Sequence, residues 1–152
     1  MALIFLGMTC TICGKPINDL EDIVAFSDFV ANKIDPLYMF SDAAFHRECF
    51  EKHPLAEQAL LRDQKGNRWT PKGYFCDICG ELISTPNEYF NAGYFTDDMS
   101  DPLYPFNSLH AHRQCIKEWP ETPRLLKLVV QLQRSGNWEG EALEYVIKVL
   151  SE

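Results

Sequence analysis

Basic side chains are scarce in this chain of 152 residues: 14 lysines and arginines stand against 22 aspartates and glutamates, a formal net charge of -8. A grip on nucleic acid through its phosphates needs clustered Lys and Arg to displace counterions, so that class is disfavoured. Adhesion to an anionic membrane is disfavoured on the same ground. Long apolar runs are missing as well, and no segment approaches the ~20 residues of a membrane-spanning helix. The apolar start Met1–Met8 (MALIFLGM) has no basic residue before it and no small-residue cleavage site after it. It therefore reads as a buried strand and not as a signal peptide. A cytoplasmic, reducing location follows as the expectation, and there cysteines serve metals more than disulfides. With 46% hydrophobic and 24% charged residues, the composition is that of a globular chain. Its acidity suits solubility, or a basic partner.

What is present is a repeat. When the chain is slid along itself until Cys10 falls on Cys76, Cys13 falls on Cys79 and Cys49 on Cys115. Ile12, Gly14, Ile17 and Phe29 fall on Ile78, Gly80, Ile83 and Phe95, and Asp35-Pro36-Leu37-Tyr38 falls on Asp101-Pro102-Leu103-Tyr104. His46-Arg47 falls on His112-Arg113. Residues 10–54 and 76–120 share 15 identities in 45 positions without a gap, which marks a duplicated structural unit.

Each copy reads C-x2-C, then a long connecting segment of the same length in both, then H-x2-C. Three thiolates and one imidazole make a closed tetrahedral set for zinc. The expected ligands are Cys10, Cys13, His46 and Cys49 for one ion and Cys76, Cys79, His112 and Cys115 for the other. Two structural Zn2+ per chain would use every cysteine. His53 falls opposite Trp119 and His110 opposite Ala44, so neither fits the register as a ligand. C-x2-C on a tight turn aims two sulfurs at one metal, and Gly14 or Gly80 lets the chain turn back. H-x2-C sets its ligands on one face of a helical turn. Strands are expected at Ile23–Phe26 and Tyr38–Phe40, at Tyr89–Phe90 or Tyr94–Phe95, and at Tyr104–Phe106. Helices are expected to begin near Ala43 and Leu109 and to break at Pro54 and Pro120.

Knuckle, hairpin and a helix bearing the last two ligands resemble the treble-clef zinc finger. The segment Phe45–Phe50 (FHRECF) is similar to the first half of a LIM or RING domain. LIM domains continue with a cysteine three positions on, where this chain has Lys52 and Glu118. The resemblance therefore implies one metal per unit, and the ubiquitin-ligase and LIM-adaptor roles do not carry over. The rest reads as a short helix over Leu55–Gln64 with Leu55, Ala59 and Leu60 on one face, then a C-terminal helical hairpin. Thr122-Pro123 would start its first helix, and Asn137 would cap its second, which carries Leu143, Val146, Ile147 and Leu150.

The fold class expected is α+β: two tandem treble-clef-like zinc modules and a C-terminal helical hairpin, divided as 1–66, 67–120 and 121–152. No catalytic residue and no organic cofactor is expected. His46-Arg47-Glu48 matches the H-x-E of zinc deaminases, but the cysteine pair comes first here and Gln114 replaces the glutamate in the second copy. The function expected is non-enzymatic protein binding, in the manner of an immunity-type inhibitor of a basic partner. Its contact face would be the aromatic and acidic surface of the second copy, Tyr89 to Phe106 with Asp97, Asp98 and Asp101. A nucleic-acid-binding zinc-finger factor is the alternative, and a hydrolase or nuclease on a zinc scaffold comes third. The oligomeric state is open.

Overall fold

A computed structural model describes residues 4–66, 68 and 70–152 of the chain. Each copy begins with a knuckle. In the first, Thr9 bridges Pro16, and Ile17 N–H donates to Met8 O at 2.7 Å. Around the second knuckle, two short strands pair antiparallel. Gly14 and Gly80 stand at φ +70° and +78°, the left-handed conformation that lets the knuckle close on its first cysteine. Their N–H groups donate to the Cys10 and Cys76 carbonyls at 2.8 Å in both copies.

A two-stranded antiparallel sheet follows each knuckle. In the first module β1 (Ile23–Ala25) pairs with β2 (Ala44–His46). The second module opens with the knuckle pair, β3 (Tyr74–Phe75) and β4 (Leu82–Ile83). Its β5 (Tyr89–Asn91) then pairs with β6 (His110–His112), Tyr89 opposite His112 as Ile23 is opposite His46. Tyr38–Phe40 and Tyr104–Phe106, expected as strands, are 3₁₀ turns. The Asp-Pro before each sets the turn. Asp35 and Asp101 accept the N–H of Leu37 and Leu103 at 2.8 Å, which winds the backbone before it can extend. The return strands lie where helix starts were expected. The short helices α1 (Arg47–Glu51) and α3 (Arg113–Glu118) begin only after His46 and His112, and both end before the proline at 54 or 120.

A longer helix then lies against each module: α2 (Ala56–Gly66) in the first and α4 (Thr122–Arg134) in the second. Their starts, Ala56 and Thr122, keep the same offset as Cys10 and Cys76, so the duplication continues past the last matched residue. Among the described residues, α5 (Ala142–Ser151) has no counterpart in the first module; it packs on α4 and α3. The architecture is thus two zinc modules and a C-terminal helical hairpin, α4–α5. Two hydrophobic cores result. The first gathers Ile17, Phe26, Leu37, Phe40, Phe45, Phe50 and Ala59. The second gathers Phe90, Phe106, Ala111, Ile116, Leu125 and Val129 with Leu143, Val146 and Val149 of α5.

Four expectations of detail change. Ile4, Phe5 and Leu6 are exposed and form no strand; Met1 to Leu3 lie outside the described residues. The Met8 N–H turns back to the Phe5 carbonyl at 3.3 Å, so the chain is in a turn here before the knuckle begins. On α2 the buried positions are Ala56, Ala59 and Arg62, and Leu60 and Leu61 point outward. Glu121, not Thr122, is the cap position of α4. Thr122 lies inside the helix, and its hydroxyl donates to the Ile116 carbonyl. Asn137 does not cap α5, which begins after Glu141; its carbonyl accepts a bond from Asn32 of the first module at 3.0 Å.

Candidate metal centres

Tight turns and pinned backbones bring the eight expected ligands into two groups. Cys10, Cys13, His46 and Cys49 form one, and Cys76, Cys79, His112 and Cys115 the other; within each, the ligand atoms all lie within 4.8 Å of one another. Backbone bonds hold the ligand segments together. Thr11 N–H donates to Ala44 O at 3.1 Å, and Asp77 N–H to His110 O at 2.7 Å, so knuckle and return strand are laced two positions from the histidine. Each histidine ends a strand and caps a helix, and the following cysteine sits one turn on.

The distances fit a tetrahedral ion. With Zn–S near 2.3 Å and Zn–N near 2.0–2.1 Å, the S···N edge of a tetrahedron is about 3.6 Å. Nδ1 of His46 is 3.4 Å from Cys13 Sγ and 3.9 Å from Cys49 Sγ. Nδ1 of His112 is 3.5 Å and 3.8 Å from the matching sulfurs. The other ring nitrogen, Nε2, faces the Pro16 carbonyl at 3.3 Å in one module and the Leu82 carbonyl at 3.3 Å in the other. A proton on Nε2 leaves Nδ1 free as the metal ligand, and such a bond fixes the ring's tautomer and orientation. These carbonyls are parts of the site that no side-chain motif announces.

The thiols are prepared unequally. Burial raises the Cys10 and Cys76 thiols, yet backbone N–H groups at the knuckle and the histidine outweigh it and hold both down to about 6. His112 N–H donates to Cys76 Sγ at 3.4 Å. Burial and the neighbouring sulfurs push Cys49 up to about 11 and Cys115 up to about 12. Thiolates crowded together repel until a cation joins them, so each cluster needs its metal to be fully ionised. Three sulfurs and one nitrogen per site suit zinc, held in a closed, structural shell.

The remaining histidines have structural surroundings. His53 lies edge-on to Phe40, with ring centroids 5.0 Å apart. His110 is buried and stacks on Tyr74 at 4.6 Å, and the Tyr89 hydroxyl meets its Nδ1 at 2.6 Å. Burial, then the charge of Arg68, lowers it to about 4, so the ring is neutral. The deaminase-like Glu48 is paired with Lys52 at 2.5 Å on the surface.

The aromatic run of the second copy is largely internal. Phe90 and Phe106 are core, Tyr89 is in the histidine stack, Phe95 meets Trp138, and Tyr94 lies under the Arg62 guanidinium. Asp97 is not a free surface charge: Arg62 pairs with it and with Asp35, the latter at 2.5 Å, and the Tyr94 hydroxyl donates to it. Arg62 therefore ties the first module's turn to the second module's loop. A lone arginine beside the leucines of α2 gives no sequence signal of that role.

Compared with protein-family models, curated proteins and solved structures, the chain matches none. The metal clusters and the elements that build them define it as a pair of treble-clef-type zinc modules. The particular content of this chain is two such Cys3His sites, one per module, in a zinc-stabilised scaffold.

Proposed function

We propose that this chain is a non-enzymatic binding protein whose partner is a basic protein, in the manner of an inhibitor of a toxin or nuclease. The observation that carries the non-enzymatic half is the closed shell. Four protein ligands gather at each centre, which leaves no position for a substrate or an activated water. The charge supports the partner. Six thiolates and two zinc ions take the chain from -8 to about -10, and such a field speeds encounter with a cation-rich surface. Among the described residues, no helix is long and apolar enough to cross a membrane.

The zinc modules serve here as a frame, and recognition falls to the acidic surface. Since Asp97 is engaged by Arg62, Asp98 is the better test of steering; it is exposed, and its carboxylate bonds within its own turn, to Ser100. With the partner identified by affinity capture and mass spectrometry, Asp98→Lys should slow association, most at low salt, while zinc content and melting stay unchanged. Tight, salt-sensitive binding of the wild-type protein to nonspecific DNA or RNA would replace this reading with the nucleic-acid one.

A further inference from the structure

A cleft of about 240 Å³ runs between the two modules beside α2. One wall comes from the first module, with Asp28 and Phe29, and the opposite wall from the second, with Tyr74 and Tyr94. Arg62 and Asp63 line it from α2. The terminal nitrogens of Arg62 are already engaged, since Asp35 and Asp97 pair with them, and its buried Nε has no partner among the described residues. Asp63 is half-buried, and no ion pair or hydrogen bond reaches its carboxylate from the described residues. Burial alone raises it, with no cation to hold it down. An unpaired carboxylate partly withdrawn from water is costly, and the cost is recovered when a cation arrives.

The charge count around the cleft points the same way. Asp35 and Asp97 pair with the cation Arg62, and two more carboxylates line the cleft, Asp63 and Asp28, the latter accepting the Ser41 hydroxyl at 2.7 Å. Lys65 and Arg68 lie in the adjoining hollow beyond Tyr94 and Ser108, and Arg68 is held there by Asp77 at 2.8 Å. The cleft is therefore the acidic side of the pair, and the apolar surface of Phe29 in its lining suits the stem of a long basic side chain. Neither module forms this cleft alone, because its walls come from two different copies facing each other.

We infer that this cleft receives a lysine or arginine side chain of the partner protein, with Asp63 as its counter-ion. The inference rests on the basic-protein reading above, but its test uses small probes and needs no partner. Amide resonances of the zinc-loaded protein would be followed by NMR during titration with N-acetyl-arginine amide, N-acetyl-lysine amide and the neutral N-acetyl-citrulline amide. The expected result is saturable shifts at Gly66, Asn91, Gly93 and Tyr94 with one or both cations and none with citrulline. Asp63→Asn should weaken that binding about tenfold, the low end of charge-pair couplings at interfaces, with zinc content unchanged. Equal shifts with citrulline amide, shifts elsewhere, no shifts, or an Asp63→Asn protein that binds as well as wild type would each overturn the inference. Should Asp63→Asn fail to fold, the comparison of charged with neutral probe on the wild-type protein still decides it. A partner complex that forms unchanged with Asp63→Asn would sink the cleft and leave the basic-partner reading standing. Cation binding in the cleft without any basic protein partner would do the reverse.

Discussion

The two modules hold their metals with the same backbone and keep themselves dry by different means. The first fills its interior with phenylalanines: Phe26, Phe40, Phe45 and Phe50 meet at centroid distances of 5.3 to 6.3 Å. Against them α2 lays Ala56 and Ala59, and Leu60 and Leu61 remain in solvent. In the second module alanine and isoleucine, Ala111 and Ile116, replace Phe45 and Phe50. The missing volume is made up from outside, by Leu125 and Val129 of α4 and by the added helix α5. At the paired positions Ala44 and His110, the first module has a methyl group and the second an imidazole stacked with two tyrosines. The comparison shows which parts of the unit both copies keep: the knuckle, the Asp-Pro turn, the return strand and the ligands. Core packing was free to diverge as long as each module's volume was filled.

That division is broken most severely by taking the metal away. Structural zinc contributes about 10–16 kcal/mol in small modules, against a total stability of about 5–15 kcal/mol for an ordinary domain. Chelation should therefore unfold both modules, seen as loss of far-UV circular dichroism in step with zinc release. Elemental analysis of the untreated protein should give two zinc ions per chain. A melting curve unchanged after complete zinc removal would contradict the scaffold.

Next in size is the contrast between neighbouring histidines. His112→Ala should lose one zinc ion, since it removes the Nδ1 that faces both Cys79 and Cys115. His110→Ala should keep both, because Ala44 already occupies that place in the first module. Its cost should be about 1–3 kcal/mol from the emptied tyrosine stack. The opposite metal counts would show that the register of the second site is wrong.

Packing differences give the third test. Leu143→Ala in α5 removes a fully buried side chain from the second core and should cost about 2–5 kcal/mol. Leu60→Ala on the exposed face of α2 should fall within about 0.5 kcal/mol of wild type. Equal losses in urea melts would mean that the face of α2 is covered after all.

The fourth test is at the junction. Arg62→Ala strands Asp35, which is mostly buried, and Asp97, which is mostly exposed, so its cost should be about 1–3 kcal/mol, below that of a fully buried pair. Asp97→Lys should destabilise by a similar amount, whereas Asp98→Lys should not. A melt insensitive to Arg62→Ala would mean that the modules are joined by their other contacts. Among these are Lys33 N–H to Glu139 O at 2.9 Å, and Gly140, where a β-carbon would meet the Ala31 carbonyl at 3.0 Å.

Cysteine and histidine spacing and the constant offset between the copies were enough, by themselves, to group the ligands into two sets of four and to place a knuckle at each. Metal coordination is a local chemical requirement, and it leaves its residue types in fixed order. The same spacing did not reveal that Tyr38–Phe40 and Tyr104–Phe106 wind into turns, because an apolar triplet suits a strand as well as a turn until Asp35 and Asp101 bond to the backbone. Nor did it show that α4 repeats α2, since the two helices keep a position and not a residue. Arg62, Asp63 and the carbonyls of Pro16 and Leu82 gained their roles only when distant segments met. A charge bridge, a carboxylate in a cleft and a backbone acceptor behind a ligand are properties of three-dimensional neighbours, and no residue carries them alone.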